Sequence, residues 1–200
     1  MPRLEFFFDC SSPWTYLAFV NVQPLAERHG AGIEWRPILV GGVFNAVNPS
    51  VYASRENPVP AKQRYSEKDL ADWARRAGVT IGQPPVFPVN SVKAMRACLL
   101  ASEEGRLVPL ATRLFEAYWG ELRDIGDPAV LAGVLADVGL PAETVLERIA
   151  EPRYKDWLRA NTDELIERGG FGSPTMFVEG DDMYFGNDRL PLVADALARS

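Results

Sequence analysis

Residues 4–13 read Leu-Glu-Phe-Phe-Phe-Asp-Cys-Ser-Ser-Pro. The apolar run that ends at Phe8 is typical of a strand buried on both faces of a sheet. The pair Ser12-Pro13 is typical of a helix start, because a serine side chain caps the first turn and proline fits the first helical position. The segment therefore predicts a central strand that leads directly into a helix.

The chain after this segment continues the same pattern. Apolar residues recur at helical spacing from Tyr16 to Leu25, and Gly30 marks the predicted end of the helix. Residues 33–38 then alternate apolar and polar side chains, which predicts a second strand. A strand, a helix and a strand in this order favour a parallel pair joined by a right-handed crossover.

The middle of the chain is predicted to be helical. Residues 41–60 contain Gly41-Gly42, Asn48-Pro49 and Asn57-Pro58, so we expect a loop there. Helical patterns bounded by glycine or proline follow it, at residues 61–77, 91–104, 107–122, 128–138, 141–150 and 153–168.

The C-terminal part returns to β structure. Residues 175–178 and 183–185 predict two strands joined by a hairpin turn. Residues 190–198 predict a final helix that is capped by Asp188.

The element order predicts the fold class and the domains. A βαβ unit, a block of helices and a ββα unit predict an α/β protein of thioredoxin-like fold, with an all-helical insertion between its two halves. The predicted domains are a thioredoxin-like domain of residues 1–45 and 155–200 and a helical insertion domain of residues 46–154. A chain of 200 residues is long enough to bury a large core.

The composition excludes several classes of function. Hydrophobic residues make up 47% of the chain and charged residues 24%, the usual mix of a globular protein. The net charge of −6 argues against nucleic acid or an anionic membrane as the partner. No apolar run is long enough to span a membrane and no secretory signal is visible, so we expect a cytoplasmic protein. Two cysteines and one histidine exclude a disulfide framework and a structural zinc site, and no metal is expected.

Ser12 is the first candidate site residue. Thioredoxin-like proteins carry a Cys-x-x-Cys pair at this strand-to-helix turn, but here Ser12 and Thr15 stand at those positions, so a dithiol reaction is chemically unavailable. A hydroxyl at a helix N-terminus favours an anion and can donate a hydrogen bond to the thiolate of a ligand. The simpler alternative is that Ser12 only caps the helix.

Two further motifs lie near the C-terminus. Pro174 follows a glycine-rich loop, where a cis peptide bond would present the backbone of Ser173 to a ligand, although a proline that merely begins a strand is the alternative. Residues 185–189 place backbone N–H groups beside Asp188, which suits the carboxylate and ammonium groups of an amino acid, although an ordinary helix cap is the alternative. Ligands of open α/β sheets bind near strand ends, so the three motifs together indicate a glutathione site.

With these motifs the chain resembles the 2-hydroxychromene-2-carboxylate isomerases and the kappa-class glutathione transferases, which share a disulfide-oxidoreductase-like fold. The resemblance spans essentially the whole chain, and the segments that carry it are residues 6–9 with Ser12-Pro13, residues 171–175 and residues 185–189. It implies a thioredoxin-like domain with a helical insertion, a homodimer, and glutathione as the bound cofactor.

The resemblance also implies roles for individual residues. Ser12 would hold the glutathione sulfur as a thiolate. Lys62 and Asn48 would contact the glycyl end of glutathione, with Asn57 as the alternative to Asn48. Ser173 and Pro174 would bind the cysteinyl part, while Asn187 and Asp188 would bind the γ-glutamyl end. Cys10 and Cys98 are expected to be buried and to take no part in the chemistry.

Residues 87–91, Phe-Pro-Val-Asn-Ser, resemble the isomerase branch of the family. The resemblance implies that Phe87 and Asn90 lie in the pocket of a second substrate, with Trp14, Phe44 and Trp119 nearby. Arg96 would face the carboxylate of an aromatic substrate. Core packing of the aromatic residues and solvent exposure of Arg96 are the alternatives.

The function implied by the resemblance is a glutathione-dependent cis-trans isomerisation in aromatic-compound degradation. The substrate would be 2-hydroxychromene-2-carboxylate or a close aromatic analogue, and the product trans-o-hydroxybenzylidenepyruvate. The implied mechanism is reversible addition of the glutathione thiolate. Two alternatives stay open: a kappa-class-like glutathione transferase or peroxidase that acts on electrophiles, and a non-catalytic thioredoxin-like binding protein.

Overall fold

The structure, a computed structural model, describes every residue from Met1 to Ser200. The chain forms four strands and ten α-helices: β1 (Arg3–Phe8), α1 (Pro13–Arg28), β2 (Gly32–Pro37), α2 (Val40–Val47), α3 (Ser50–Glu56), α4 (Pro60–Ala77), α5 (Val92–Glu103), α6 (Leu107–Phe115), α7 (Pro128–Asp137), α8 (Ala142–Arg148), α9 (Pro152–Glu167), β3 (Thr175–Val178), β4 (Asp182–Phe185) and α10 (Leu190–Arg199). A π-helical turn, Glu116–Gly120, follows α6, and a 3₁₀ turn, Asn187–Arg189, precedes α10.

The four strands form one sheet in the order β2-β1-β3-β4. β1 pairs in parallel with β2, where Phe6 lies opposite Trp35, and antiparallel with β3, where Phe6 lies opposite Met176. β3 and β4 form an antiparallel hairpin. Helices α2 to α9 all lie between β2 and β3 in the sequence. This order confirms the predicted thioredoxin-like α/β fold with a helical segment between its βαβ and ββα halves.

β1 is buried on both faces, as its aromatic run predicts. Phe6 and Phe8 pack on one face with Phe19 of α1 and Trp35 of β2. Phe7 points to the other face, where it joins a small apolar cluster with Ile38, Val43, Leu165 and Phe177. The C-terminal end of β1 is therefore held from both sides, which fixes the turn that leads into α1.

The larger apolar core continues from the sheet into the helical segment. Residues of β1 and α1 belong to the same buried cluster as residues of α5, α6 and α7. Cys10 and Cys98 lie within this cluster and are fully buried, as expected. The division into residues 1–45 with 155–200 and residues 46–154 stays a prediction. None of the helices combines the length and the apolar character that a membrane span requires.

The expected loop at residues 41–60 is wrong, because two short helices occupy most of it. The first turn of α2 is fixed by a contact far away in the sequence, since the Val40 N–H donates to Asp9 Oδ2 over 2.9 Å. Asn48 ends α2 and Asn57 ends α3. The turn residues seen in the sequence therefore mark helix ends rather than a continuous loop.

Two predicted helix boundaries also differ. The helix expected to run to Leu122 leaves the α conformation at Phe115 and continues as the π-helical turn, in which Tyr118 and Trp119 are both buried. Asp188 does not cap α10: Arg189 holds the N-cap position and no side chain caps the helix. The Asp188 carboxylate instead pairs with Arg189 at 3.1 Å and lies over Gly186, where an added Cβ would be 2.7 Å from Asp188 Oδ1.

Candidate active site

Two cavities meet at the N-terminus of α1. The larger one, called the main cavity below, has a volume of about 690 Å³ and lies between the β1–α1 turn, helices α2 and α3, and residues 87–92. The smaller one, called the side cavity, has a volume of about 490 Å³ and lies between residues 186–188 and helix α4. Trp14, Ser173 and Phe185 line both cavities, so one ligand can extend from one into the other.

Ser12 lies at the N-cap of α1 and lines the main cavity. Its Oγ accepts a hydrogen bond from the Thr15 N–H at 3.2 Å and donates to the Ser173 carbonyl at 3.3 Å. Ser12 therefore caps the helix, as the simpler alternative proposed, by accepting this hydrogen bond at its oxygen. The hydroxyl donates to the Ser173 carbonyl over a long 3.3 Å contact, and because Ser12 lines the main cavity, rotation of the hydroxyl could redirect this donor to an anion placed there. The N–H groups at the start of α1 favour the same anion.

Ser173 connects the two ends of the site. Its Oγ accepts from the Asp9 N–H at 3.1 Å and shares a 2.7 Å hydrogen bond with Thr15 Oγ1. Thr15 is fully buried and lines neither cavity, so Ser12 is the hydroxyl of this pair that a ligand meets. The Ser173–Pro174 peptide bond is cis, as the sequence analysis considered, and Pro174 lines the side cavity.

Asp9 is a buried carboxylate that the sequence analysis did not single out. Its Oδ1 accepts from the Ser11 N–H at 2.9 Å, and its Oδ2 accepts from the Val40 N–H at 2.9 Å and from Ser91 Oγ at 3.1 Å. Burial raises the pKa of Asp9, and these hydrogen bonds oppose the rise. Asp9 thus ties the start of α2 and the start of α5 to the turn that carries Ser12.

The side cavity offers hydrogen-bond donors and negative charge together. Asn187 is buried; its Oδ1 accepts from Asn21 Nδ2 at 3.4 Å, while its own Nδ2 has no partner. Asp188 lies on the same wall and Asp69 on the opposite wall. A buried amide N–H without a partner fits a ligand carboxylate, and the two acidic side chains fit an ammonium group. The side cavity therefore suits a ligand group that carries both a carboxylate and an ammonium group.

Helix α4 supplies a wall that the sequence analysis missed. Tyr65, Asp69 and Trp73 all line the side cavity. They stand four residues apart, so they share one face of the helix. Their spacing in the sequence could have indicated a shared helix face, but many sets of three residues on an exposed helix have the same spacing.

Of the three residues considered for the glycyl end of glutathione, only one lines a cavity. Asn48 lines the main cavity, where its Nδ2 donates to the Phe171 carbonyl at 3.1 Å and its Oδ1 accepts from Ser50 Oγ at 2.9 Å. Asn57, the alternative, is exposed and lines neither cavity. Lys62 is exposed on the first turn of α4 and also lies outside both cavities.

Of the residues expected around a second substrate, some line the main cavity and others do not. Trp14, Phe44, Phe87 and Asn90 line the main cavity. Arg96 does not: it lies on α5, and its Nη1 donates to the Ile149 carbonyl at 3.4 Å.

Two buried aromatic residues, Trp119 and Tyr118, donate hydrogen bonds to backbone segments that adjoin the main cavity. Trp119 lines neither cavity, and its Nε1 donates to the Cys10 carbonyl at 2.9 Å, below the β1–α1 turn. The Tyr118 hydroxyl donates to the Val86 carbonyl at 2.9 Å, next to Phe87. Burial raises the pKa of Tyr118 to about 12, so this hydroxyl remains a donor at neutral pH. The Phe87–Pro88 peptide bond is cis, which the sequence analysis did not anticipate.

The structure contains no group of three or more His, Cys, Asp or Glu residues placed to hold a metal ion.

Comparison with known proteins gives consistent matches over nearly the whole chain. The model of the DSBA-like thioredoxin domain matches residues 3–198. The chain is 32% identical to a 2-hydroxychromene-2-carboxylate isomerase of Sphingobium xenophagum, over 97% of this chain and 97% of that protein. It is 27% identical to glutathione S-transferase kappa 1 of Caenorhabditis elegans, over 98% of this chain and 91% of that protein. A solved structure of a 2-hydroxychromene-2-carboxylate isomerase superposes with a TM-score of 0.82 at 27% identity, over 98% of this chain and 95% of that chain.

Proposed function

This chain belongs to the DSBA-like thioredoxin family, in the group that includes 2-hydroxychromene-2-carboxylate isomerases and kappa-class glutathione transferases, and on that premise we propose that it is a glutathione-dependent isomerase. The substrate is 2-hydroxychromene-2-carboxylate or a close aromatic analogue, and the product is trans-o-hydroxybenzylidenepyruvate. One observation carries the proposal: the Ser12 hydroxyl stands at the N-terminus of α1 and lines an aromatic cavity that adjoins a cavity suited to an amino acid.

The proposed glutathione site extends across both cavities. The γ-glutamyl end lies in the side cavity, where Asn187 Nδ2 donates to its carboxylate and Asp69 and Asp188 accept from its ammonium group. The backbone of Ser173 binds the cysteinyl part. Asn48, on the main-cavity side, is the residue we propose for the glycyl end, with Lys62 as the second candidate that the family resemblance implies.

Glutathione, when bound, supplies a thiolate that adds reversibly to the unsaturated carbon of the substrate and so permits rotation about the former double bond. Ser12 lowers the pKa of the thiol because its hydroxyl turns from the Ser173 carbonyl and donates to the sulfur anion. The N–H groups at the start of α1 act in the same direction. Asp9 keeps this turn in place through its three hydrogen bonds.

The main cavity holds the aromatic substrate. Trp14, Phe44 and Phe87 line this cavity and give it aromatic surface that a planar ligand can contact. Half of the Phe87 side chain is exposed (49%) in the structure, so a ligand that covers it gains apolar contact. A substrate bound in this cavity would lie beside a sulfur held by Ser12, because Ser12 lines the same cavity.

Replacement of Ser12 tests the proposal. We expect Ser12→Ala to lower kcat/KM for isomerisation by about 10- to 100-fold, because a hydrogen bond to a charged group contributes ~1.5–3 kcal/mol. Ser54→Ala is the matched control, since Ser54 is an exposed serine of α3 outside both cavities. Equal turnover by the two variants and the unmodified protein would show that Ser12 has no role in the reaction.

A glutathione transferase is the second candidate, and the similarity to the kappa-class proteins favours it. Both candidates use the same thiolate and differ in the fate of the adduct. An isomerase returns glutathione unchanged, whereas a transferase consumes it in a conjugate. Chromatography of the reaction mixture therefore separates them. A protein that binds no glutathione at all would instead be a non-catalytic member of the family.

We also infer from the family resemblance that the protein is a cytoplasmic homodimer. Size-exclusion chromatography with light scattering tests the oligomeric state. A mass about twice that of the 22.2 kDa chain is expected, and a mass equal to one chain would contradict the dimer.

A further inference from the structure

Arg55 is the only positively charged side chain that lines the main cavity. It lies on α3, and its guanidinium carbon is 5.6 Å from the ring centre of Phe44 and 5.2 Å from that of Phe87. The ion pairs of the structure include ten other arginines but not Arg55. Arg55 is therefore a cation held between two aromatic rings and without a carboxylate partner.

The rest of the cavity leaves this charge available to a ligand. The only acidic lining residue is Asp9, and both of its oxygens already accept hydrogen bonds from within the chain. The remaining lining side chains are apolar, aromatic or neutral polar. An anionic ligand in this cavity thus meets one unpaired cation and no competing negative charge that needs a partner.

The two rings also restrict the guanidinium group. An arginine stacked on aromatic faces loses less side-chain freedom when it binds a ligand, and its planar fork matches a carboxylate with two parallel hydrogen bonds. The same rings present apolar surface immediately beside the charge. A ligand that satisfies both features carries a carboxylate attached to a planar aromatic body.

We propose that Arg55 binds the carboxylate of a planar aromatic acid in the main cavity. The identity of that acid as the isomerase substrate rests on the proposed function; the binding site itself rests only on the cavity. Arg55 takes the role that the sequence analysis gave to Arg96, which lies outside the cavity. A glutathione carboxylate is the other source of the same group, but it brings no aromatic surface for Phe44 and Phe87 to contact.

Binding of unreactive ligands tests the site without any turnover. Isothermal titration would compare 2-naphthoate with 2-naphthamide, which has the same ring system and no charge. We expect the unmodified protein to prefer the acid and Arg55→Gln to lose about 10- to 100-fold in affinity for the acid while its affinity for the amide changes little. Arg55→Lys, which keeps the charge and loses the fork, should fall between the two.

Arg64→Gln is the matched control, because Arg64 is an exposed arginine of α4 that lines neither cavity. It should bind both ligands as the unmodified protein does. Arg55 is exposed, so its variants should fold, and their thermal unfolding midpoints check this point. Retention of the preference for the acid in Arg55→Gln would overturn the proposal.

Glutathione titration of the same variants separates this proposal from the proposed function. Unchanged glutathione affinity in Arg55→Gln supports a substrate site, whereas loss of glutathione binding with intact 2-naphthoate binding would assign Arg55 to glutathione and overturn the proposal. A protein that does not isomerise the chromene but loses its preference for the acid in Arg55→Gln would refute the proposed function and leave the carboxylate site standing. If the protein isomerises the chromene but Arg55→Gln still prefers 2-naphthoate to 2-naphthamide, the proposed function stands and the Arg55 carboxylate site is refuted.

Discussion

Replacement of Asp9 tests how the β1–α1 turn is held in place. Asp9→Ala removes the acceptor for three hydrogen bonds and leaves the Val40 N–H and the Ser91 hydroxyl as buried donors without partners. An unsatisfied buried donor costs ~1–3 kcal/mol, so two of them predict a loss of about 2–6 kcal/mol in the free energy of unfolding. Urea denaturation followed by tryptophan fluorescence measures this quantity.

Two further variants separate the effect of the lost hydrogen bonds of Asp9 from the general effect of removing a carboxylate. Asp9→Asn retains one oxygen, which can still accept from the Val40 N–H and Ser91 Oγ, so it should lose less than half as much stability as Asp9→Ala. Asp127→Ala removes an exposed carboxylate that caps α7 through one 2.8 Å hydrogen bond, and it should cost only ~1 kcal/mol. If Asp9→Ala were no more destabilising than Asp127→Ala, the hydrogen bonds of Asp9 would not hold the β1–α1 turn in place.

The pH dependence of the Asp9 variants follows from the raised pKa. Burial raises the pKa of Asp9, so the folded protein holds the carboxyl proton more tightly than the unfolded chain does. Ionisation of Asp9 therefore subtracts from wild-type stability as the pH rises from the ordinary carboxyl range through the raised pKa. Asp9→Asn cannot ionise at this position. Over the same pH interval, its free energy of unfolding should therefore rise relative to that of the unmodified protein. A shift in the opposite direction would mean that the folded protein favours the ionised form.

The remaining predictions concern the glutathione site and its support. Asn187→Leu removes the unpartnered Nδ2 donor and should weaken glutathione binding by about 10- to 100-fold in a calorimetric titration, whereas Asn57→Leu, outside both cavities, should not. Ser12→Asp keeps a capping oxygen but places a negative charge at the sulfur, so it should preserve the thermal unfolding midpoint and raise the pKa of the bound thiol. The ultraviolet absorbance of the thiolate measures this pKa. An unchanged thiol pKa would count against the contact between Ser12 and the sulfur. Trp119→Phe removes the donor to the Cys10 carbonyl and should lower the free energy of unfolding by ~1–2 kcal/mol. A loss no larger than that caused by a substitution at an exposed position would show that this hydrogen bond does not stabilise the fold.

The sequence is most informative where local physical rules and tertiary packing agree. The aromatic run that ends at Phe8 needs burial on both faces, and the sheet provides it. Ser12-Pro13 begins α1 as its local chemistry requires. Three motifs near strand ends also meet in space, because the sheet brings the ends of β1 and β4 and the start of β3 to one side of the molecule.

The sequence is least informative where a contact joins distant residues. The start of α2 depends on Asp9, which is 31 positions away, so local turn residues suggested a loop instead. Asp188 is a good capping residue by type, yet its carboxylate lies over Gly186 and beside Arg189. Arg55 and Arg96 look alike in the sequence, and only the packing of α3 against Phe87 distinguishes the arginine that faces the cavity.

The most direct test of the proposed function is a spectrum of 2-hydroxychromene-2-carboxylate mixed with the purified protein, recorded with and without glutathione. We expect conversion to the trans-benzylidenepyruvate only when glutathione is present, with the glutathione recovered unchanged. Equal conversion without glutathione would contradict the role of the thiolate, and a glutathione conjugate as the product would show a transferase.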